Sequence, residues 1–126
     1  MEAYLAEQTQ KTPLVNFDPA TGVFELKGKS IPENSSGFYN PLFDWLEKYC
    51  EDPSRQTHLN IQLDYFGTAA SKCILDIIKR LEEMAQAGKG EAVINWMYND
   101  FDEDILEAGE NYRAMVKLPF NLISLG

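Results

Sequence analysis

The stretch "THLNIQLDYFGTAASKCILDIIKRLEEMAQAGKG", Thr57 to Gly90, changes its hydrophobic period in mid-run. Leu59, Ile61, Leu63 and Tyr65 alternate with His58, Asn60, Gln62 and Asp64, which is the signature of a strand with one buried face. From Ala69 the period lengthens, and Ile74, Ile77, Ile78, Leu81, Met84 and Ala85 fall on one helical stripe. Gly88 supplies a left-handed stop. The next segment, "EAVINWMYN", again alternates, with Ala92, Ile94, Trp96 and Tyr98 on one face. A strand, a helix and a second strand joined this tightly form a crossover unit, so the two strands run parallel.

The same logic extends both ways. "LVNFD" (Leu14 to Asp18) and "VFELKG" (Val23 to Gly28) flank "PATG" and predict a hairpin. A helix follows, with Phe38, Leu42, Trp45, Leu46 and Tyr49 on its apolar side and Pro41 tolerated in its first turn. A third helix starts near Asp102 and carries Ile105, Leu106, Gly109, Tyr112 and Met115, before a last strand in "LPFNLISL". The expected fold is α/β, with an N-terminal hairpin, then alternating helices and strands, and a mixed sheet. Polar strand positions, Asn60 and Gln62 above all, predict that the helices pack mainly on one face. No linker or repeat divides residues 1–126, which are expected to form one domain.

Charge narrows the partners. Eleven Lys and Arg against twenty Asp and Glu leave a net charge of −9. Nucleic acid phosphates and anionic membrane surfaces carry the same sign, so neither is an expected ligand. The N-terminal "MEAYLAEQTQKTP" lacks a signal-peptide pattern and no apolar run is long enough to span a bilayer, which predicts a cytoplasmic protein without membrane insertion. Cys50 and Cys73 are too few and too far apart for a zinc site or a redox pair, and fit as reduced thiols packed in helices.

Catalytic chemistry has little to work with. The single histidine, His58, lies on the polar side of a strand, so no Ser-His-Asp or Cys-His set assembles without it. "GKGE" (Gly88 to Glu91) lacks the context of a phosphate-binding loop. The acidic run from Asp100 to Glu110 offers oxygen ligands in Asp100, Asp102, Glu103, Asp104 and Glu107. Its spacing fails the calcium-loop pattern, and acids at a helix start, with Asp102 as N-cap, are the better reading. "NSS" at Asn34 to Ser36 matches a glycosylation sequon, but without a secretory signal it reads as a polar loop. No metal or cofactor is expected.

Thr68 stands between a strand end and a helix start. Its hydroxyl could accept a hydrogen bond from the N–H of Ala70 or Ser71 as an ordinary N-cap. The same helix end, with Gly67 leaving the approach open, would also stabilise a phosphate attached to that hydroxyl. Position alone favours the cap.

"IPENSSGFYNPLFDWLEKY" (Ile31 to Tyr49) resembles the Pro-Glu-Asn, Phe-Tyr, Trp-Leu-x-x-Tyr pattern of the SiaC family of bacterial regulatory phosphoproteins. "LDYFGTAASK" (Leu63 to Lys72) is similar to that family's Tyr-Phe-Asn-Thr-Ser-Ser-Ser-Lys segment, "INWMYNDFDEDILEAGE" to its tryptophan-tyrosine-acidic segment, and "LPF" to its closing motif. Gly67 stands where the family usually has Asn, and Ala69 and Ala70 replace two Ser. The resemblance runs through nearly the whole chain in order.

It implies a STAS-like fold and a non-enzymatic, partner-switching protein. Thr68 would be the residue phosphorylated by a cognate Ser/Thr protein kinase and dephosphorylated by a PP2C-type phosphatase. The unphosphorylated form would bind and stimulate an effector such as a diguanylate cyclase, linking the switch to cyclic-di-GMP and to biofilm or aggregation control. Pro32, Glu33, Asn34, Gly67, Thr68, Ser71 and Lys72 would form the shared docking face. The competing readings are a constitutive scaffold in which Thr68 only caps, and a small metal-binding protein using the acidic segment.

Overall fold

A computed structural model describes residues 1–126. Six strands form one sheet in the order β1-β2-β3-β4-β5-β6: Tyr4–Ala6, Leu14–Phe17, Val23–Ser30, Gln56–Phe66, Glu91–Tyr98 and Phe120–Ser124. Three helices join the last four strands: α1 (Ser35–Glu51), α2 (Thr68–Gln86) and α3 (Glu103–Met115). β1, β2 and β3 pair antiparallel, and β3 through β6 pair parallel. The expected hairpin and crossovers are all present.

β1 is an element beyond that expectation. Three residues, Tyr4 to Ala6, are too few to display a period, and their order comes from pairing with Val15 to Phe17. Trp45 Nε1 also donates to the Glu2 carbonyl at 2.8 Å, fastening the N-terminal segment to α1.

Each crossover advances the sheet by one strand in the same direction. Because strand-helix-strand connections share one hand, identical steps put every helix on the same face. Burial follows this: β4 buries Thr57, Leu59, Ile61 and Leu63, while His58, Asn60 and Gln62 are half-buried on the uncovered face. There Asn95 Nδ2 donates to Asn60 Oδ1 at 2.8 Å, and Asn121 Nδ2 donates to Asn95 Oδ1 at 3.0 Å. This amide row across β4, β5 and β6 satisfies polar groups that helices would otherwise have had to cover.

One continuous apolar cluster fills the helix-covered side. Under α1, Phe17 stacks on Phe24, and Trp45 stacks on Tyr49 with ring centres 5.4 Å apart. α1 buries Tyr39 rather than the expected Phe38, which is half-buried beside it. Tyr39 is accepted in the core because its hydroxyl and that of Ser30 lie 2.6 Å apart, so neither is left unpaired. Burial pushes the Tyr39 phenol up to about 12.

α3 buries Ile105, Gly109 and Tyr112, whereas Met115, expected on the same stripe, is 52% exposed where the helix ends. Gly109 is required by close approach: a Cβ there would lie 2.6 Å from Trp96 Nε1 and 2.9 Å from Leu122 Cδ2. The indole is in turn fixed by donating from Nε1 to the Ile105 carbonyl at 2.9 Å. No helix is long and apolar enough to cross a membrane.

Candidate functional site

The parallel strands point their C-terminal ends at one edge of the sheet, and the helix N-termini open there. α1 and α3 start with side-chain caps. Asn34 Oδ1 accepts from the Gly37 N–H at 3.0 Å, and Asp102 Oδ1 accepts from the Ile105 N–H at 3.1 Å. α2 does not. Its N-cap is Gly67 in an extended conformation, with no side-chain cap, and the first helical bond runs from the Ser71 N–H to the Gly67 carbonyl at 2.9 Å.

This corrects the capping reading of Thr68. The helix begins one residue earlier than the expected Ala69, so Thr68 is its first helical residue and its hydroxyl caps nothing. The side chain is exposed instead. The N–H groups of the first turn keep no internal acceptor, which leaves the positive end of a 19-residue helix open beside that hydroxyl.

Thr68 lines an open groove of about 510 Å³ between the starts of α1 and α2. α1 supplies Ser35, Ser36, Asn40 and Phe43, while α2 supplies Ala69, Lys72, Cys73 and Asp76 with Thr68. Lys72 is exposed one helical turn beyond Thr68 and has no carboxylate within salt-bridge distance. Cys73 is half-buried, and burial, then the Asp76 charge, raise its thiol pKa. The thiol is therefore held protonated and poorly nucleophilic.

The other expected docking residues divide between this edge and structural roles. The Gly67 N–H donates to the Ser30 carbonyl at 3.0 Å, which sets the start of α2 beside Ile31 and the segment entering α1. Pro32 is half-buried in that segment, Glu33 is exposed and pairs with Lys11 at 3.2 Å, and Asn34 is engaged as a cap. Ser71 turns toward α3, where its hydroxyl lies 2.9 Å from the Tyr112 hydroxyl and its carbonyl accepts from the same group at 2.9 Å. It ties α2 to α3.

Ser35, Ser36, Asn40 and Phe43 share the groove with Thr68 and were not among the expected site residues. The signal available was the first turn of α1, which follows directly on Pro32, Glu33 and Asn34. In the acidic segment Asp102 is spent on the cap and Asp100 accepts from the Ser124 hydroxyl. No group of three or more His, Cys, Asp or Glu side chains converges on a point. His58 lies half-buried on the uncovered sheet face, away from this edge.

Residues 6–125 match the model of the SiaC family regulatory phosphoproteins. An uncharacterized protein of Pseudomonas aeruginosa (strain UCBPP-PA14) is 33% identical over 112 residues, covering 89% of this chain and 88% of its own. The solved structure of SiaC of Pseudomonas aeruginosa superposes with a TM-score of 0.90 at 30% identity, covering 98% of this chain and 99% of that one. A third match is SiaC as crystallised in complex with the diguanylate cyclase SiaD, whose activator it is. Here the TM-score is 0.89 at 30% identity, over 96% of this chain and 98% of that chain. The fold, the order of motifs along the chain and these matches agree: the chain belongs to the SiaC family of regulatory phosphoproteins.

Proposed function

We propose that this chain is a phosphorylation-controlled activator whose switch is Thr68. The observation that carries the reading is the exposed Thr68 hydroxyl on the only helix start that no side chain caps. A threonine needed for capping could not be modified without cost to the fold. Thr68 is free of that duty.

In the unmodified state the groove beside Thr68 and the adjoining segment at Pro32, Glu33 and Asn34 bind an effector of the diguanylate cyclase class, by analogy with the SiaC that activates SiaD. A Ser/Thr kinase transfers the terminal phosphoryl group of ATP to Thr68. The Thr68 oxygen forms the new bond to phosphorus, the bond to ADP breaks, and the hydroxyl proton passes to the kinase base. A PP2C-type phosphatase reverses the step by hydrolysis, releasing inorganic phosphate and restoring the hydroxyl.

The phosphate adds about −1.5 to −2 charge. Within the domain the open N–H groups of α2 and the Lys72 ammonium one turn away oppose that charge, so the fold is retained. In an interface the same charge must be desolvated, and it repels acidic partners, so docking is lost. Incubation with the cognate kinase and ATP, followed by mass mapping, is expected to find phosphate on Thr68; modification exclusively elsewhere overturns the assignment. Thr68→Ala should retain effector binding, and Thr68→Asp should reduce it about tenfold or more with the thermal midpoint nearly unchanged. Equal binding by both variants and by the phosphorylated protein would leave a constitutive scaffold.

A further inference from the structure

We propose that two copies of this chain associate through β6, joining their sheets edge to edge about a two-fold axis. β6 is the last strand of the sheet and pairs on one side only, with β5. The Ile94 N–H donates to the Pro119 carbonyl, and the Leu125 N–H donates to the Tyr98 carbonyl. Odd-numbered residues thus turn their backbone groups inward. Phe120, Leu122 and Ser124 consequently direct theirs outward, where no strand receives them.

The two edges of the sheet are treated differently. β1 is three residues long, flanked by Glu2 and Glu7, which are ordinary means of discouraging strand addition. The β6 edge has none of these. From Leu118 to Gly126 there is no charged side chain, in a protein of net charge −9, and Ile123 and Leu125 are 39% and 44% exposed. Most surfaces of so acidic a chain repel a second copy. This edge does not.

The edge is also self-complementary. Antiparallel pairing centred on Leu122 sets Leu122 opposite Leu122 of the second copy, and Phe120 opposite Ser124. All outward-facing groups then meet their partners, in about six N–H···O bonds. Asn121 and Ile123 fall opposite each other on the uncovered face, and the central leucines meet on the helix side. The axis lies perpendicular to the sheet, so the helices of both copies stay on one face. Because the strands of the two copies run in opposite directions, the two Thr68 edges lie at opposite ends of a twelve-strand sheet.

Sedimentation of the full chain from about 10 µM to about 0.5 mM should show a mass rising toward twice that of the monomer. Ile123→Lys places a charge on the exposed side of β6, and Ser124→Pro removes an outward N–H while sparing the ladder to β5. Each should weaken association about tenfold or more with the circular dichroism spectrum preserved. Amide exchange at Leu122 and Ser124 should slow with concentration in the parent protein and stay fast in Ile123→Lys. A monomer at every concentration, a dimer that survives Ile123→Lys, or exchange at these amides that ignores concentration would each overturn the proposal; should Ser124→Pro not fold, Ile123→Lys and the exchange data decide.

Discussion

The starts of α2 and α3 lie at the same edge of the sheet and are built in opposite ways. At α3, Asp102 caps the first turn, and Gly109 seats the helix against Trp96. At α2 the cap is a glycine with no side chain to offer, and the next residue presents a free hydroxyl. Asn34 shows that α1 follows the α3 pattern. A glycine N-cap costs only a few tenths of a kcal/mol against Asn or Asp, so the omission of a side-chain cap at one helix of three is a small sacrifice of stability at the place where partner chemistry is proposed. That is where a sequence is expected to depart from its own local rules.

The contrast can be broken most severely at α3. Gly109→Ala drives a methyl group into Trp96 and Leu122, and overpacking of this kind should cost about 3 kcal/mol, read as a large fall in denaturation midpoint. Ala at Thr68, on the open helix start, should move the midpoint by less than about 0.5 kcal/mol. If the two changes cost the same, the contrast fails.

Alkali tests the locked side by another route. The Tyr39 phenol is raised from 10.0 to about 12 and the Cys50 thiol from 9.0 to about 11, both chiefly by burial. Each folded group holds its proton more tightly than the unfolded chain does, so the folded state binds more protons in these ranges. Stability is therefore complete below about pH 9 and declines as pH rises toward about 12, by about 2 kcal/mol for Tyr39 alone. Denaturant titrations at pH 8, 10 and 11.5 check the sign. Tyr39→Phe should flatten the upper part of the fall at the expense of the Ser30 bond.

Asp102→Ala should cost about 1 kcal/mol, since it leaves the Ile105 N–H without its acceptor. Gly67→Asn is the smallest and most pointed change. A Cβ at Gly67 would lie 3.7 Å from Ile31 Cγ2, its nearest neighbour, so a side chain fits, and the added cap should raise stability by a few tenths of a kcal/mol. A loss of stability there would show that the glycine is structural rather than permissive.

The periodic parts of this molecule were legible in the sequence. The switch of period at Phe66 to Ala69, the alternation of β5 and of β4 as far as Leu63, and the polar residues of the uncovered face carried the crossover order and the one-sided packing; Tyr65, expected on the buried face of β4, is 57% exposed, past the register shift between Gly28 and Lys29 of β3. Four features were not legible, each for a physical reason. β1 is ordered by its partner rather than by its own three residues. Tyr39 is buried because of a hydroxyl nine residues away in Ser30, which no local pattern encodes. At "GT" either residue can stand at the helix boundary, and the choice of Gly67 is made by the bond from its N–H to the Ser30 carbonyl. The Ser71 to Tyr112 tie joins residues 41 apart and was equally hidden. The proposal of Thr68 as the switch rests on family likeness and on its exposure at an uncapped helix start; the strand-helix junction alone favoured a cap.

Because the strands lie side by side in the order in which they occur in the chain, every pairing in the sheet joins neighbours in sequence. Each new strand meets an edge already made, and no segment waits for a distant one to arrive. Such a chain can assemble in step with its own synthesis, from the hairpin outward, one crossover unit at a time. By the same reasoning the groove beside Thr68, lined only by residues of α1 and α2, draws no lining residue from the later elements α3 and β6.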